Sequence, residues 1–214
     1  MNEIARKAHW ERAWSQKDET ETSWFQTAPE LSLELIAAAG ARPDDPFIDV
    51  GGGASRLVDH LLDRGFSDLT VLDISAAGLQ RARRRLGARA ARVHWIEADV
   101  TTFRPQRDYR VWHDRAVFHF LLDAAERARY VAAMDAALAS DGQAVIATFG
   151  PDGPLRCSGL DTLRYGAADL AAALGSRWRL LEERAEAHRT PTDREQRFGY
   201  YRFARAAVRA AETG

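Results

Sequence analysis

The sequence predicts one doubly wound α/β domain, a mostly parallel seven-stranded sheet with helices on both faces. Three observations carry this prediction. From Phe47 onward, short apolar runs alternate with segments of helical period, and that alternation requires right-handed crossovers between parallel strands. The first apolar run ends on three glycines, Gly51, Gly52 and Gly53, at the carboxyl edge where such sheets bind ligands. The last two runs have no helix between them, so they pair as an antiparallel hairpin at one edge.

The elements follow in order. The segment from Pro29 reads as a helix with Leu31, Leu35 and Ile36 on one face. Phe47–Val50 is a buried strand, and "ASRLVDHLLDRG" is a helix stopped by Gly65. Leu69–Ile74 is the second strand, followed by a helix with Ser75 as its N-cap. "VHWIEAD" and "YRVWHDRA" are the third and fourth strands. "DAAERARYVAAMDAALASDG" is a long helix closing on Asp141-Gly142. "QAVIATFG" is the fifth strand, and "GAADLAAALG" a helix. "WRLLEERAEAHRT" and "QRFGYYRFAR" form the terminal hairpin. The segments divide into an N-terminal lid at 1–30, the sheet domain at 31–206 and a tail at 207–214.

Composition excludes several classes. The 214 residues are 46% hydrophobic and 29% charged, with a formal net charge of −1, a balance with no pull toward nucleic acid or an anionic membrane. No apolar run approaches the roughly 20 residues of a membrane span, and no secretory-type apolar stretch opens the chain. One cysteine, Cys157, allows no intrachain disulfide, so a cytoplasmic location is expected.

Three acids give the glycines a chemical context. Asp49 precedes them, Asp73 ends the second strand and Asp99 follows the third. All three fall at the same edge of the sheet, and an acid ending the second strand is suited to accept from two ribose hydroxyls. The dinucleotide fingerprint G-x-G-x-x-G/A fails because Arg56 stands where a small residue must pack. A P-loop fails because no G-K-[ST] follows.

The frame that fits is acid-x-Gly-x-Gly-x-small: Asp49, Gly51, Gly53, Ser55. It resembles the first motif of the class I S-adenosylmethionine (AdoMet)-dependent methyltransferases, with Ser55 in place of the family's third glycine. The resemblance covers roughly Leu31 to Arg205. It implies a Rossmann-like sheet of order 3-2-1-4-5-7-6, with AdoMet as cofactor. Asp73 matches the ribose-binding acid, with Ile74 beside the adenine. Asp99, in "EADV", matches the acid that takes the adenine amino group, with the Val100 backbone nearby. Gly51, Gly52 and Gly53 let the methionine part lie on the backbone, and Asp49 offers it negative charge.

Family members place acceptor-facing residues after the fourth strand, here "WHDRAVFHFL". Asp114 matches a position bordering cofactor and substrate and is the first catalytic candidate. His119 is the second, as a proton acceptor, against the alternative of a packed residue between Phe118 and Phe120. His113 offers the same chemistry. Arg115 could hold an anionic group or form a salt bridge. No His/Cys/Asp/Glu spacing suggests a metal. The asparagine-proline-proline-aromatic motif of nucleic-acid-base and glutamine methyltransferases is absent. "RARRR" (Arg81–Arg85) reads as a solvated helix face. Trp10, Trp14, Trp24 and Phe25 lie outside the sheet pattern and are expected to cover the site as a lid, with Trp24 and Phe25 nearest the ligand. A similar tryptophan-rich entry occurs in small thiol, thiopurine and halide methyltransferases and in lysine methyltransferases of elongation factor or citrate synthase. Cys157 sits in a Gly/Pro-rich loop after the fifth strand, where acceptor-binding insertions occur.

The sequence therefore points to methyl transfer from AdoMet to a heteroatom of a small molecule. A protein lysine acceptor and a non-catalytic nucleoside-binding protein are the alternatives.

Overall fold

The computed structural model describes residues 2–16 and 18–206. The tail expected at 207–214 lies outside the described residues. The sheet comprises β1 (Phe47–Val50), β2 (Leu69–Asp73), β3 (Val93–Glu97), β4 (Tyr109–Arg115), β5 (Leu138–Phe149), β8 (Trp178–Arg189) and β9 (Glu195–Arg205). A separate two-stranded ribbon, β6 (Arg156–Cys157) and β7 (Leu160–Asp161), lies in the loop after β5. The sheet order is β3-β2-β1-β4-β5-β9-β8, the expected order with the hairpin strands taken as sixth and seventh. β1 to β5 run parallel, and β9 is antiparallel to both β5 and β8.

Both faces are covered. α2 (Glu30–Ala38), α3 (Leu57–Asp63) and α4 (Ala76–Leu86) bury Leu33, Ile36, Leu57, Leu61 and Leu79 against Phe47, Leu69 and Val111. α5 (Ala124–Ala137) and α6 (Ala167–Leu174) bury Tyr130, Met134 and Leu170 against Trp112, Ile146 and Phe203. The buried positions of α5, Tyr130, Ala133, Met134 and Ala137, recur at helical spacing, so one stripe meets the sheet.

Two details differ from the pattern reading. α2 buries Ser32, Leu33, Leu35 and Ile36, while Leu31 is only partly buried. Leu33 and Ile36 join one apolar cluster and Leu35 another, so the helix is covered on more than one side. α5 stops at Ala137, short of Asp141-Gly142, because Leu138 turns extended (φ −84, ψ 131) and pairs with Tyr109. Tertiary pairing there overrides the helical propensity of "ALA".

The N-terminal segment forms α1 (Glu3–Gln16), which buries only Arg6 and Trp14. It is fastened by polar contacts. The Glu11 carboxylate accepts from the Ala76 and Ala77 N–H groups (2.7 and 3.1 Å) and from the Ser75 hydroxyl (3.1 Å), so it caps the positive end of α4. Arg6 donates through Nε to Asp99 (2.8 Å) and through both terminal nitrogens to Glu126 (3.0 and 3.2 Å). Arg6, Trp10 and Trp14 recur every four residues on one face of α1, and that face lies over the carboxyl edge of β1–β3.

Candidate active site

Two adjoining cavities open at that edge. One is larger than the other, and both are partly open to solvent. Trp14, Trp24, Gly51 and Arg115 line both. Of the residues expected to hold the cofactor, Asp73, Ile74, Asp99 and Val100 line the larger cavity, and Asp49 and Gly52 the smaller. Gly51 and Trp24 border both, while Gly53 lies against the Trp14 ring.

The glycine turn is crowded by the protein's own side chains. Gly51 has φ +69, and a Cβ there would fall inside the Val117 side chain. A Cβ on Gly52 would meet Asp49 Oδ2 at 2.6 Å and Val71 Cγ1 at 2.7 Å. Part of the need for glycine is therefore internal: the turn folds back onto β1 and β2, with the Gly51 N–H donating to Leu72 C=O (2.7 Å). Arg85, read as part of a solvated run, supports the segment beyond the glycines. It donates to the Ala54 and Ser55 carbonyls (both 2.8 Å) and pairs with Asp59 and Glu19.

The three acids are buried and differently engaged. Asp49 lies beside His113 in the parallel register of β1 and β4. Its Oδ1 is 2.7 Å from His113 Nδ1, and His113 Nε2 is 2.9 Å from the Ser32 hydroxyl. Both ring nitrogens of His113 are thus committed, and its expected role as proton acceptor is corrected to fixing Asp49. Asp99 Oδ1 accepts from the Thr101 N–H and hydroxyl, and Oδ2 from Arg6. Asp73 Oδ1 accepts from the Ser75 N–H (2.7 Å). Burial, reinforced by the nearby carboxylates of Asp49 and Glu11, pushes Asp73 up to about 7.

Neither catalytic candidate reaches the cavities. Asp114 accepts from the Val117 and Phe118 N–H groups and from the Tyr130 hydroxyl (2.8, 3.1 and 2.7 Å). It is fully buried beneath the turn after β4, and burial raises it to about 6. Its role is corrected to shaping that turn. His119 packs against Phe149 with ring centroids 4.5 Å apart and accepts the Phe149 N–H at Nδ1 (3.1 Å). Burial lowers it to about 3, so it stays neutral. It is the packed residue, not the proton acceptor. Asp114 lies within β4 on the same face as Trp112, where Tyr130 of α5 holds it, and the positive-φ residue Ala116 (φ 74) just after β4 redirects the chain ahead of His119.

The residues that do line the far end of the larger cavity are mainly aromatic: Trp10, Trp24, Phe120 and Phe198, with Arg115 and Cys157. Trp10 meets Trp24 and Phe120 edge to face at 5.7 and 5.1 Å. Phe25, expected beside Trp24, lines the smaller cavity and not the larger, and Arg56 lies over its ring. Arg6, Glu11, Phe120 and Phe198 escaped the sequence reading; the i, i+4, i+8 spacing of Arg6, Trp10 and Trp14 was the available signal for the first. Among the described residues, no group of three or more His, Cys, Asp or Glu could hold a metal ion.

Residues 47–142 match the family model described as "Methyltransferase domain". That match and the strand order agree with the resemblance to the class I AdoMet-dependent methyltransferases. The eEF1A lysine and N-terminal methyltransferases of Mus musculus and Bos taurus are each 26% identical over 119 residues, 55% of this chain. The match spans 17% of those proteins' length. Among solved structures, a SAM-dependent methyltransferase from Anabaena variabilis superposes with TM-score 0.74 at 14% identity, covering 96% of both chains. The 1,6-didemethyltoxoflavin-N1-methyltransferase of Burkholderia thailandensis gives 0.67 at 17% identity, covering 96% of this chain and 85% of that one. A structure concerned with converting a disulfide bond into a thioacetal group in echinomycin biosynthesis gives 0.75 at 18%, covering 94% and 92%. These structural likenesses concern the fold. The site itself suits a cationic nucleoside: three buried carboxylates, of Asp49, Asp73 and Asp99, line the two cavities beside the glycine turn, at the edge where such sheets take their ligand.

Proposed function

We propose that the enzyme methylates a heteroatom of a small molecule held at the aromatic end of the larger cavity. In this reading Asp73 accepts from the ribose hydroxyls, and Asp99 Oδ2 takes the adenine amino group alongside Arg6. Ile74 and Val100 flank the adenine, and Asp49 with Gly51 and Gly52 borders the amino-acid part. Bound AdoMet supplies an activated methyl group on a sulfonium, so the chain's task is to position the acceptor and exclude water.

The observation that carries the reading is the roof. α1 lays Arg6, Trp10 and Trp14 over the cavity, clamped by Glu11 on α4 and Arg6 on Asp99 and Glu126. A lysine of a folded protein would need a channel through this cover. The cationic Arg115 in the wall also disfavours a lysine ammonium. The curated relatives act on a protein, and one structural neighbour was solved with 1,6-didemethyltoxoflavin bound; the roof and Arg115 favour the small molecule here. Incubating cell extract with radiolabelled AdoMet and the purified enzyme should place label in the low-molecular-weight fraction. Label confined to a discrete protein band would overturn this reading.

A further inference from the structure

Resting on the placement of AdoMet across the two cavities, we propose that Arg56 binds the carboxylate of its amino-acid part. The smaller cavity is thereby selective for a zwitterion, and Arg56 excludes cofactor relatives that lack the carboxylate.

Arg56 stands where local structure does not call for it. It is the N-cap residue of α3 and makes no side-chain cap hydrogen bond. Ser, Thr, Asp and Asn serve at that position, and a cation at the positive end of a helix is unfavourable. The guanidinium turns instead to the smaller cavity, where it lies over the Phe25 ring at 5.3 Å and donates from Nη2 to Glu19 Oε1 (3.0 Å). Its Nε is buried and has no hydrogen-bond partner. A buried guanidinium donor without an acceptor is costly, and a carboxylate ligand removes that cost with a charge-assisted bond.

The other charges around that cavity are committed. Among the described residues lining it, Glu19, Asp49, Arg56, His113 and Arg115 are the titratable ones. Arg115 donates to the Tyr200 hydroxyl (2.7 Å) and the Trp24 carbonyl (3.0 Å) and lies 3.6 Å from Glu186. Glu19 is shared: its Oε2 accepts from Arg85 Nη1 (2.7 Å). Arg85 has Asp59 as a second acid (2.6 Å). Among the described residues, Arg56 pairs with Glu19 alone. Its charge is therefore the least compensated in the cavity.

Asp49 supplies the opposite pole. His113 holds its Oδ1 from behind (2.7 Å), and its Oδ2 lies against Gly52, where a Cβ would come within 2.6 Å. A fixed carboxylate and a partly unpaired guanidinium thus border one small space. An α-amino acid carries an ammonium and a carboxylate on one carbon, the matching pair of charges. A ligand without the carboxylate would leave Arg56 Nε buried and unpaired, and sites of that kind reject such ligands strongly.

The test compares ligands that differ in this one group. The purified protein is titrated calorimetrically with S-adenosylhomocysteine, with its decarboxylated counterpart and with 5′-methylthioadenosine. Wild type should prefer S-adenosylhomocysteine over the decarboxylated compound by about ten- to hundredfold. Arg56→Met should erase the preference by weakening S-adenosylhomocysteine alone. Arg56→Lys, which retains the charge, should keep part of it and covers the case in which Arg56→Met fails to fold. Glu19→Gln should widen the preference, because it removes the acid that competes for Arg56; a purely structural role would not give opposite effects. Equal weakening of both ligands in Arg56→Met, or a preference that survives there, overturns the assignment. So does a wild type that binds both compounds alike. If that happens while 5′-methylthioadenosine still binds, the nucleoside placement stands. Binding of none of the three overturns both.

Discussion

The two ends of the larger cavity are built by different means. The acidic end stands on strand termini: β2 ends on Asp73, opposite Glu97 of β3, and Asp99 follows just beyond β3, each acid held by its own local bonds to Ser75 or Thr101. The aromatic end is assembled from four distant segments. These are α1 (Trp10), the stretch before α2 (Trp24), the turn after β4 (Phe120) and β9 (Phe198). A site on strand ends inherits its geometry from backbone hydrogen bonds. A site on converging segments depends on how each is docked, and this is where an enzyme of a common fold can vary its acceptor.

Arg6 joins the two ends, so its removal should break the comparison most sharply. Arg6→Met leaves Asp99 and Glu126 buried without their cation, a loss of up to about 3 kcal/mol. Undocking of α1 should absorb much of it. Hydrogen exchange should rise across Glu3–Gln16 while the sheet stays protected; unchanged exchange would show that α1 docks without this clamp.

Asp73→Ala acts on the acidic end alone. Losing a carboxylate that accepts from ribose should weaken AdoMet by roughly 1.5–3 kcal/mol, about ten- to hundredfold in Kd. Calorimetry should see that loss with α1 exchange unchanged. Unaltered affinity would move the nucleoside elsewhere.

The pH dependence sharpens the same point. Burial holds Asp73 up to about 7, above its ordinary value near 4. Its folded-state pKa is raised, so its contribution to stability is present at low pH and is lost as pH rises through 7. Ribose hydroxyls bond the ionised form, so binding should release a proton. AdoMet affinity should climb between about pH 6 and 8, by at most about tenfold per unit. Asp73→Asn should flatten the profile; a profile equally steep in that variant would assign the proton to another group.

The smallest effect is expected at His119. Asparagine can present an acceptor near the Nδ1 position, so His119→Asn should cost less than about 1 kcal/mol in melting experiments and leave methyl transfer nearly unchanged. A collapse of kcat without loss of fold would return His119 to the chemistry.

The strand order was implied by the family resemblance, while the strand–helix alternation, the antiparallel hairpin and the edge holding Asp49, Asp73 and Asp99 were legible in the chain. Each follows from short-range pattern: apolar runs of strand length, glycines after the first and acids at the strand ends. Asp114 and His119 were misread because their sequence neighbourhood does not reveal on which side of the wall they fall. Strand alternation puts Asp114 on the face of β4 where Tyr130 of α5 binds it, and the positive φ of Ala116 turns the chain before His119.

The sequence by itself determined the doubly wound sheet and the acidic nucleoside edge, since alternation, capping and strand-end chemistry are properties of contiguous residues. The tertiary structure decided the rest. It set Arg6 on Asp99, locked His113 between Asp49 and Ser32, and joined Arg115 to Tyr200, Trp24 and Glu186 at an aromatic wall. Those contacts join residues far apart in the chain, and only packing determines which buried charges find partners.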